Sequence, residues 1–357
     1  MDQGISNPEH EATAQPEVQL CVHCGQHPPE GSSLTPLCAA CRQALIKYPI
    51  PKWIWAFAAG VLVLMVVGFI RMPSFYTQVS EMARAEKAMD QRNYVTAIRA
   101  LDKVLAKSPD RLEANGYMLI ASAYNHDMQR MKAAFEQVEG KDMKDAALLA
   151  RMEAAMTYIG QVTDVDTLFY AKYEIAMRDS VAGFTRLIAE IDTNSAFEHK
   201  APAYVAVANA LFDLKAYALC ESLSKKVLAE QPDNYGAMML LTAVKRNTGY
   251  FDEAMAMSKE MLELNHEDVL VFAQMCKIEL KRGRDKEAAA IAQKAMVLES
   301  SNSVAMEAQA MVDFYAGQKQ KSIAMLQKIK KVEQYVDGDS TISVRLNKLI
   351  EGKEKFR

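Results

Sequence analysis

Residues 235–268 read YGAMMLLTAVKRNTGYFDEAMAMSKEMLELNHED, and residues 269–302 read VLVFAQMCKIELKRGRDKEAAAIAQKAMVLESSN. Laid over one another without a gap, Gly249 falls on Gly283, Ala254 on Ala288 and Met261 on Ala295. The preceding copy, from Ala201, supplies Ala208, Leu211, Tyr217, Val227 and Pro232 in the same frame. The following one, from Ser303, supplies Ala310, Gly317 and Ile329. Four ungapped copies of equal length fill 201–336. A period of about 34 residues means that one supersecondary unit recurs, each unit burying only one face and needing neighbours to finish its core. The composition, with 22 Met and only 15 Gly, favours helix for that unit.

The pattern resembles the tetratricopeptide repeat family. Small residues expected where two helices cross are Ala208, Cys276, Ala310, Ala254 and Ala288, and the turn glycines are Gly249, Gly283 and Gly317. The proline expected after the second helix is met by Pro232 and replaced by His266 and Ser300. An upstream copy, NYVTAIRALDKVLAKSPD, fits through Tyr94, Ala97, Leu101, Leu105 and Pro109. Between 112 and 200, Ala121 and Tyr124 fit one copy before the register fails, so irregular helical pairs are expected there. ISVRLNKLIEGKEKF is amphipathic and lysine-rich, suiting a capping helix over 341–357. The expected fold class is all-α: a tetratricopeptide-like α-solenoid of helix pairs over 77–340, preceded by one transmembrane helix and a small four-cysteine module.

The resemblance implies that the first helix of each pair lines a concave groove for a protein or peptide partner. Its groove positions fall on Val205, Asn209 and Phe212; on Met239, Arg246 and Asn247; on Lys277, Leu280 and Lys281; and on Met311, Phe314 and Tyr315. Aromatic, methionine and cationic groups together suit an extended or helical peptide with some negative charge. The other reading is that several of them pack against neighbouring repeats. The carboxylate clamp of chaperone-binding members is absent: Asn209 matches one position, but Val205 and Leu240 occupy others. Cys220 and Cys276 fall at small-residue crossings in separate repeats and are expected as buried free thiols.

WIWAFAAGVLVLMVVGFI, running from Trp53 to Ile70, contains no charged residue. As a helix it reaches about 27 Å, and its flanks complete a bilayer crossing over 53–71. Tyr48, Trp53 and Trp55 suit one interface and Phe75 and Tyr76 the other, with Lys52 and Arg71 bracketing the span. Ala56 and Gly60 form a small-xxx-small pair, a face for homodimerisation in the membrane.

Ahead of this span lie Cys21 and Cys24, then Cys38 and Cys41. Two residues between thiols let a tight turn aim both sulfurs at one ion, and two such turns complete a tetrahedral site of the structural-zinc type. The stretch resembles small zinc-ribbon or zinc-knuckle modules over 20–44, which implies the four cysteines as ligands of a structural Zn2+. Only Cys24-Gly25 has the knuckle glycine; the second pair continues Cys41-Arg42. A redox pair and structural disulfides are the remaining readings. Residues 1–19 hold almost no large apolar side chain and are expected as a disordered tail.

Arg42, Lys47 and Lys52 precede the span while Arg71 and Arg84 follow it, a small positive-inside bias for a cytoplasmic N-terminus. Thiolate ligands favour the same side, where thiols stay reduced. The expected setting is therefore a bacterial inner membrane, crossed once, with the repeats extracytoplasmic. A net charge of −3 gives no basic excess and so does not favour bulk nucleic-acid binding. No HExxH, GxSxG or phosphate-cradling glycine loop occurs, so no enzymatic activity is expected. The leading expectation is an interaction scaffold for an envelope, secretion or assembly complex. The alternatives are a transmembrane sensor, whose cysteine head controls the repeats, and an adaptor with its repeats in the cytosol.

Overall fold

The computed structural model describes residues 19–30, 35–46, 51–163, 165, 167–197, 199–333 and 342–357. The expected disordered tail lies outside them up to residue 18, as do Lys47, Tyr48 and the side chains of Arg71 and Phe75. The chain divides into two compact units, one up to Ser74 and one from Phe75.

The first unit holds a cysteine-bearing loop, the short helix α1 (Ala39–Ile46), and the opening part of α2 (Lys52–Asp90). The segment Lys52–Phe69 has a mean hydropathy of 2.0 and is long and apolar enough to cross a membrane. None of its side chains is buried; Trp53 is 68% and Leu64 73% exposed.

Among the described residues, the second unit contains the rest of α2 and fifteen further helices, and no strand. They are α3 (Tyr94–Leu105), α4 (Leu112–Tyr124), α5 (Met128–Val138), α6 (Ala146–Thr163), α7 (Thr167–Arg178), α8 (Ser180–Thr193), α9 (Lys200–Asp213) and α10 (Tyr217–Glu230). There follow α11 (Tyr235–Asn247), α12 (Phe251–Leu264), α13 (Val269–Arg282), α14 (Asp285–Leu298), α15 (Ser303–Tyr315), α16 (Lys319–Glu333) and α17 (Ile342–Ile350). The fold is an all-α array of helix pairs. The second helices α10, α12, α14 and α16 start at Tyr217, Phe251, Asp285 and Lys319, each one full sequence period after the last.

Local chemistry fixes both ends of these helices. Asn234, Asp268 and Asn302 recur at the sequence period, and each side chain accepts from backbone N–H groups at the start of α11, α13 or α15. Two residues before each second helix the backbone turns left-handed, at Gly249, Gly283 and Gly317 (φ 91°, 77° and 76°). Lys215, His126 and Arg92 do the same in copies without a glycine (φ 60°, 57° and 54°). The next N–H then reaches back over the turn, as in Asp127 N to Ser122 O (2.9 Å) and Tyr250 N to Lys245 O (2.9 Å). Six copies thus share one turn, although only three carry the glycine that announces it.

Small side chains allow the pairs to cross closely: Ala208, Ala254, Cys276, Ala288 and Ala310 are all fully buried. Cys220 and Cys276 are buried free thiols. Residues 112–200 form less regular packing. The long α6 lies against α4 and α9, and a Cβ on Gly183 of α8 would meet Ala176 O of α7 at 2.2 Å.

The array also folds back on itself. Thr96 on α3 donates through Oγ1 and its backbone N–H to the Glu267 carboxylate, at 2.6 and 2.7 Å. His266 N donates to Arg92 O (3.0 Å), Arg99 to Val297 O (2.9 Å) and Asn125 to Glu299 (3.2 Å). The turns after α12 and α14 are therefore held against the first pairs. Nothing in the repeat pattern signals these contacts.

Candidate functional site

Two arrangements concentrate chemistry. In the first unit, the four cysteine sulfurs lie within 4.8 Å of one another. Gly25 turns left-handed (φ 64°), letting its N–H donate to Cys21 O (2.8 Å) and swing Cys24 beside Cys21. Cys38 immediately precedes α1 and Cys41 lies on its first turn, with Arg42 N donating to Cys38 O (2.9 Å). The Arg42 side chain donates to Glu30 O (2.8 Å), tying helix to loop.

The Cys24 and Cys38 sulfurs are 3.7 Å apart. Four thiolates at about 2.3 Å from a tetrahedral ion sit about 3.8 Å from one another, so this spacing fits a metal ion. Backbone N–H groups of Cys38 and Cys24 pull the Cys21 thiol down to about 6. The Cys38 thiol beside it, with burial, pushes Cys41 up to about 12. Four thiolates this close would repel one another, and a cation among them would balance that charge.

In the second unit, α9, α11, α13, α15 and α17 line a cavity of about 890 Å³. It brings together Val205, Asn209, Phe212, Met239, Arg246, Asn247, Lys277, Lys281 and Met311. Phe314 and Tyr315 are not among its lining; their rings pack edge to face at 5.3 Å. Leu280, carried over as a groove position, is instead fully buried in the repeat core. The cavity wall at that level of α13 falls to Lys281, which is half-buried.

The cavity is strongly cationic. Lys215, Arg246, Lys277, Lys281, Arg345, Lys348 and Lys355 line it against the carboxylates of Asp213, Glu307 and Glu354. Arg246 is 6% exposed; it donates to Gln274, while its Nε has no partner. Burial brings its guanidinium down to about 10. Lys277 Nζ lies 2.6 Å from Glu307 Oε2, yet burial still draws the ammonium below its usual range. Lys281 is drawn down by burial and then by the Arg246 charge. Glu307, 4% exposed, also faces Arg345 at 3.8 Å. The floor of the groove therefore offers buried positive charge that the protein neutralises only in part.

A smaller cavity of about 460 Å³ lies where the array closes, walled by Tyr94, Tyr124, Tyr158, His126, Tyr235 and Asp268 among others. The rings form a ladder, with Tyr94 stacked on Tyr124 at 5.1 Å and His126 on Tyr235 at 3.6 Å. Burial takes His126 down to about 4 and Asp268 up to about 6. An unfolded Asp titrates near 3.9, so the native state holds this proton more tightly. Stability from Asp268 is thus highest below about pH 4 and falls as pH rises to about 6. Asp268→Asn keeps an oxygen for capping α13 and removes that penalty. It is expected to gain about 2 kcal/mol above pH 6 and little at pH 4, read from urea midpoints at both pH values.

No family model matches the chain, and no curated protein matches it. Among solved structures, the chain is similar to a tetratricopeptide repeat protein from Parabacteroides merdae, at 12% identity and a TM-score of 0.39, over 77% of this chain and 99% of that one. It is similar to a thermophilic TPR protein from Thermus thermophilus at 17% identity and a TM-score of 0.39, over 54% and 99%. A third likeness is to MamA from Desulfovibrio magneticus, at 14% identity and a TM-score of 0.34, over 49% and 99%.

Proposed function

We propose that this chain is a membrane-anchored scaffold that holds a protein partner in the groove of α9, α11, α13 and α15, in a bacterial envelope, secretion or assembly complex. The observation that carries this reading is the cationic cavity, in which Asn209, Phe212, Met239, Arg246, Asn247, Lys277, Lys281 and Met311 meet. Half-buried apolar groups beside incompletely neutralised cations suit a peptide that brings both side-chain area and negative charge.

The anchor in this reading is the span 53–71, supported by the length and apolar exposure of Lys52–Phe69. Ala56 and Gly60, both exposed, give a second copy a face to pack on. The four cysteines hold a structural zinc ion, supported by their mutual spacing. A cytoplasmic head with extracytoplasmic repeats follows from the charges around the span and from the thiolates' need for a reducing compartment.

A photo-crosslinking amino acid at Met239 or Asn247, in the full chain in its native membrane, is expected to give a discrete protein adduct. The same group at Lys259, exposed on α12, is expected to give none. Equal labelling from all three positions, or none from the groove, overturns the reading.

A further inference from the structure

The groove is not empty of protein. After α17 the chain turns at Gly352 (φ 72°), with Gly352 N donating to Leu349 O (3.0 Å) and Lys353 N to Lys348 O (2.9 Å). This sends residues 354–356 along the groove, where they line the same cavity. Phe356 is half-buried, its ring centroid 4.8 Å from Lys281 Nζ and 5.8 Å from Arg246 Cζ. Next to it, the Arg357 guanidinium lies 4.0 Å over the Tyr315 ring and pairs with Asp285. Glu354 Oε1 approaches Lys215 Nζ at 4.0 Å.

We propose that Glu354–Arg357 is a built-in occupant of the groove, and that Phe356 marks the seat taken by an aromatic side chain of an acidic partner peptide. The inference rests on the groove being the partner site and adds its chemistry and its regulation. The ring face of Phe356 is what cations attract, and two of the groove's cations already lie at cation–π distance from it. The rest of the segment fits poorly. Of its charges only Glu354 and Lys355 line the cavity, so it adds no net negative charge where Lys215, Arg246, Lys277, Lys281, Arg345 and Lys348 face only Asp213 and Glu307. The tail's polar anchors, Lys215 and Asp285, are both solvent-exposed and therefore weak. An aromatic residue flanked by carboxylates would keep the ring contact and neutralise Arg246 and Lys281. Such a peptide displaces the tail, whereas one without the acidic flanks does not. Partner affinity is then reduced by the fraction of chains whose tail is seated.

The test uses the full chain in detergent micelles and a fluorescein-labelled Asp-Glu-Phe-Glu-Asp peptide, read by anisotropy. Phe356→Ala is expected to bind the probe about tenfold more tightly than the unaltered chain, through loss of the internal competitor. Adding Lys281→Glu to Phe356→Ala should abolish the gain, and the Asp-Glu-Ala-Glu-Asp peptide should show none. Arg357→Ala, which keeps the ring, should give a smaller gain in the same direction and serves if Phe356→Ala melts early. Equal affinity for the unaltered and Phe356→Ala chains overturns the tail as occupant and leaves the groove reading standing. Binding that ignores Lys281→Glu places the probe elsewhere and overturns both. If neither chain binds the probe, the aromatic–acidic chemistry is overturned, and crosslinking from Met239 decides separately whether the groove takes a partner.

Discussion

Glu307→Ala is expected to cost the second unit about 3–5 kcal/mol, the range for removing one partner from a buried ion pair. Glu307 is 4% exposed in the middle of α15, 2.6 Å from Lys277 Nζ and 3.8 Å from Arg345. Without it, Lys277 and the neighbouring Arg246 are both left in a site where burial already works against their charge. The loss should appear as a lower urea midpoint with an unchanged slope. Lys277→Met in the same chain should recover most of it, because a matched apolar replacement removes the charge that Glu307 was answering. A single-variant cost below about 1 kcal/mol would mean that the pair is as solvated as a surface bridge. The groove floor would then lose its character as a desolvated cationic site.

The second large effect concerns the cysteines. Among the described residues of 19–46, only Cys21 and Cys38 are buried, so the thiols themselves are the core of this stretch. Closing them around the proposed zinc ion would supply the folding energy that so small an apolar core lacks, typically about 10–16 kcal/mol for structural sites near neutral pH. The purified full chain is expected to contain one zinc per chain by elemental analysis. Cys24→Ser with Cys38→Ser should contain none, and residues 19–46 should become sensitive to protease in the variant alone. Zinc retained in full by the double variant, or a metal-free parent with its four cysteines in disulfides, sinks the assignment.

Much of this was legible in the chain, for reasons that differ from residue to residue. The repeat period shows in the small residues of the crossings because any larger side chain would force the helices apart. Gly249, Gly283 and Gly317 are readable because a left-handed turn favours glycine. Lys215, His126 and Arg92 adopt the same turn, but their side chains carry no mark of it. Nine of the twelve groove positions fall together because helical spacing fixes which face a first helix turns inward. Of the adjacent pair Leu280 and Lys281, both read as groove positions, only Lys281 reaches the cavity wall; Leu280 turns to the core face of α13. Glu307 and Phe356 are each a single residue out of character with its surroundings: one acid in SVAMEAQAM, one ring in GKEKFR. Such exceptions hint at a role, but their partners are set by tertiary packing. Phe356 meets Arg246 only because the chain doubles back after α17.

The hydrogen bonds from α3 to the turns after α12 and α14 join residues 171 or more positions apart, as between Thr96 and Glu267. A helical-repeat array with free ends behaves as a spring: it stretches, frays from either end, and loses its units one at a time. With α3 latched to those distant turns, the intervening pairs form a closed hoop that cannot peel without first opening the latch. Assembly carries the matching kinetic burden, since a very long loop must close before the latch repays it. In mechanical terms, this unit is built as a clasp.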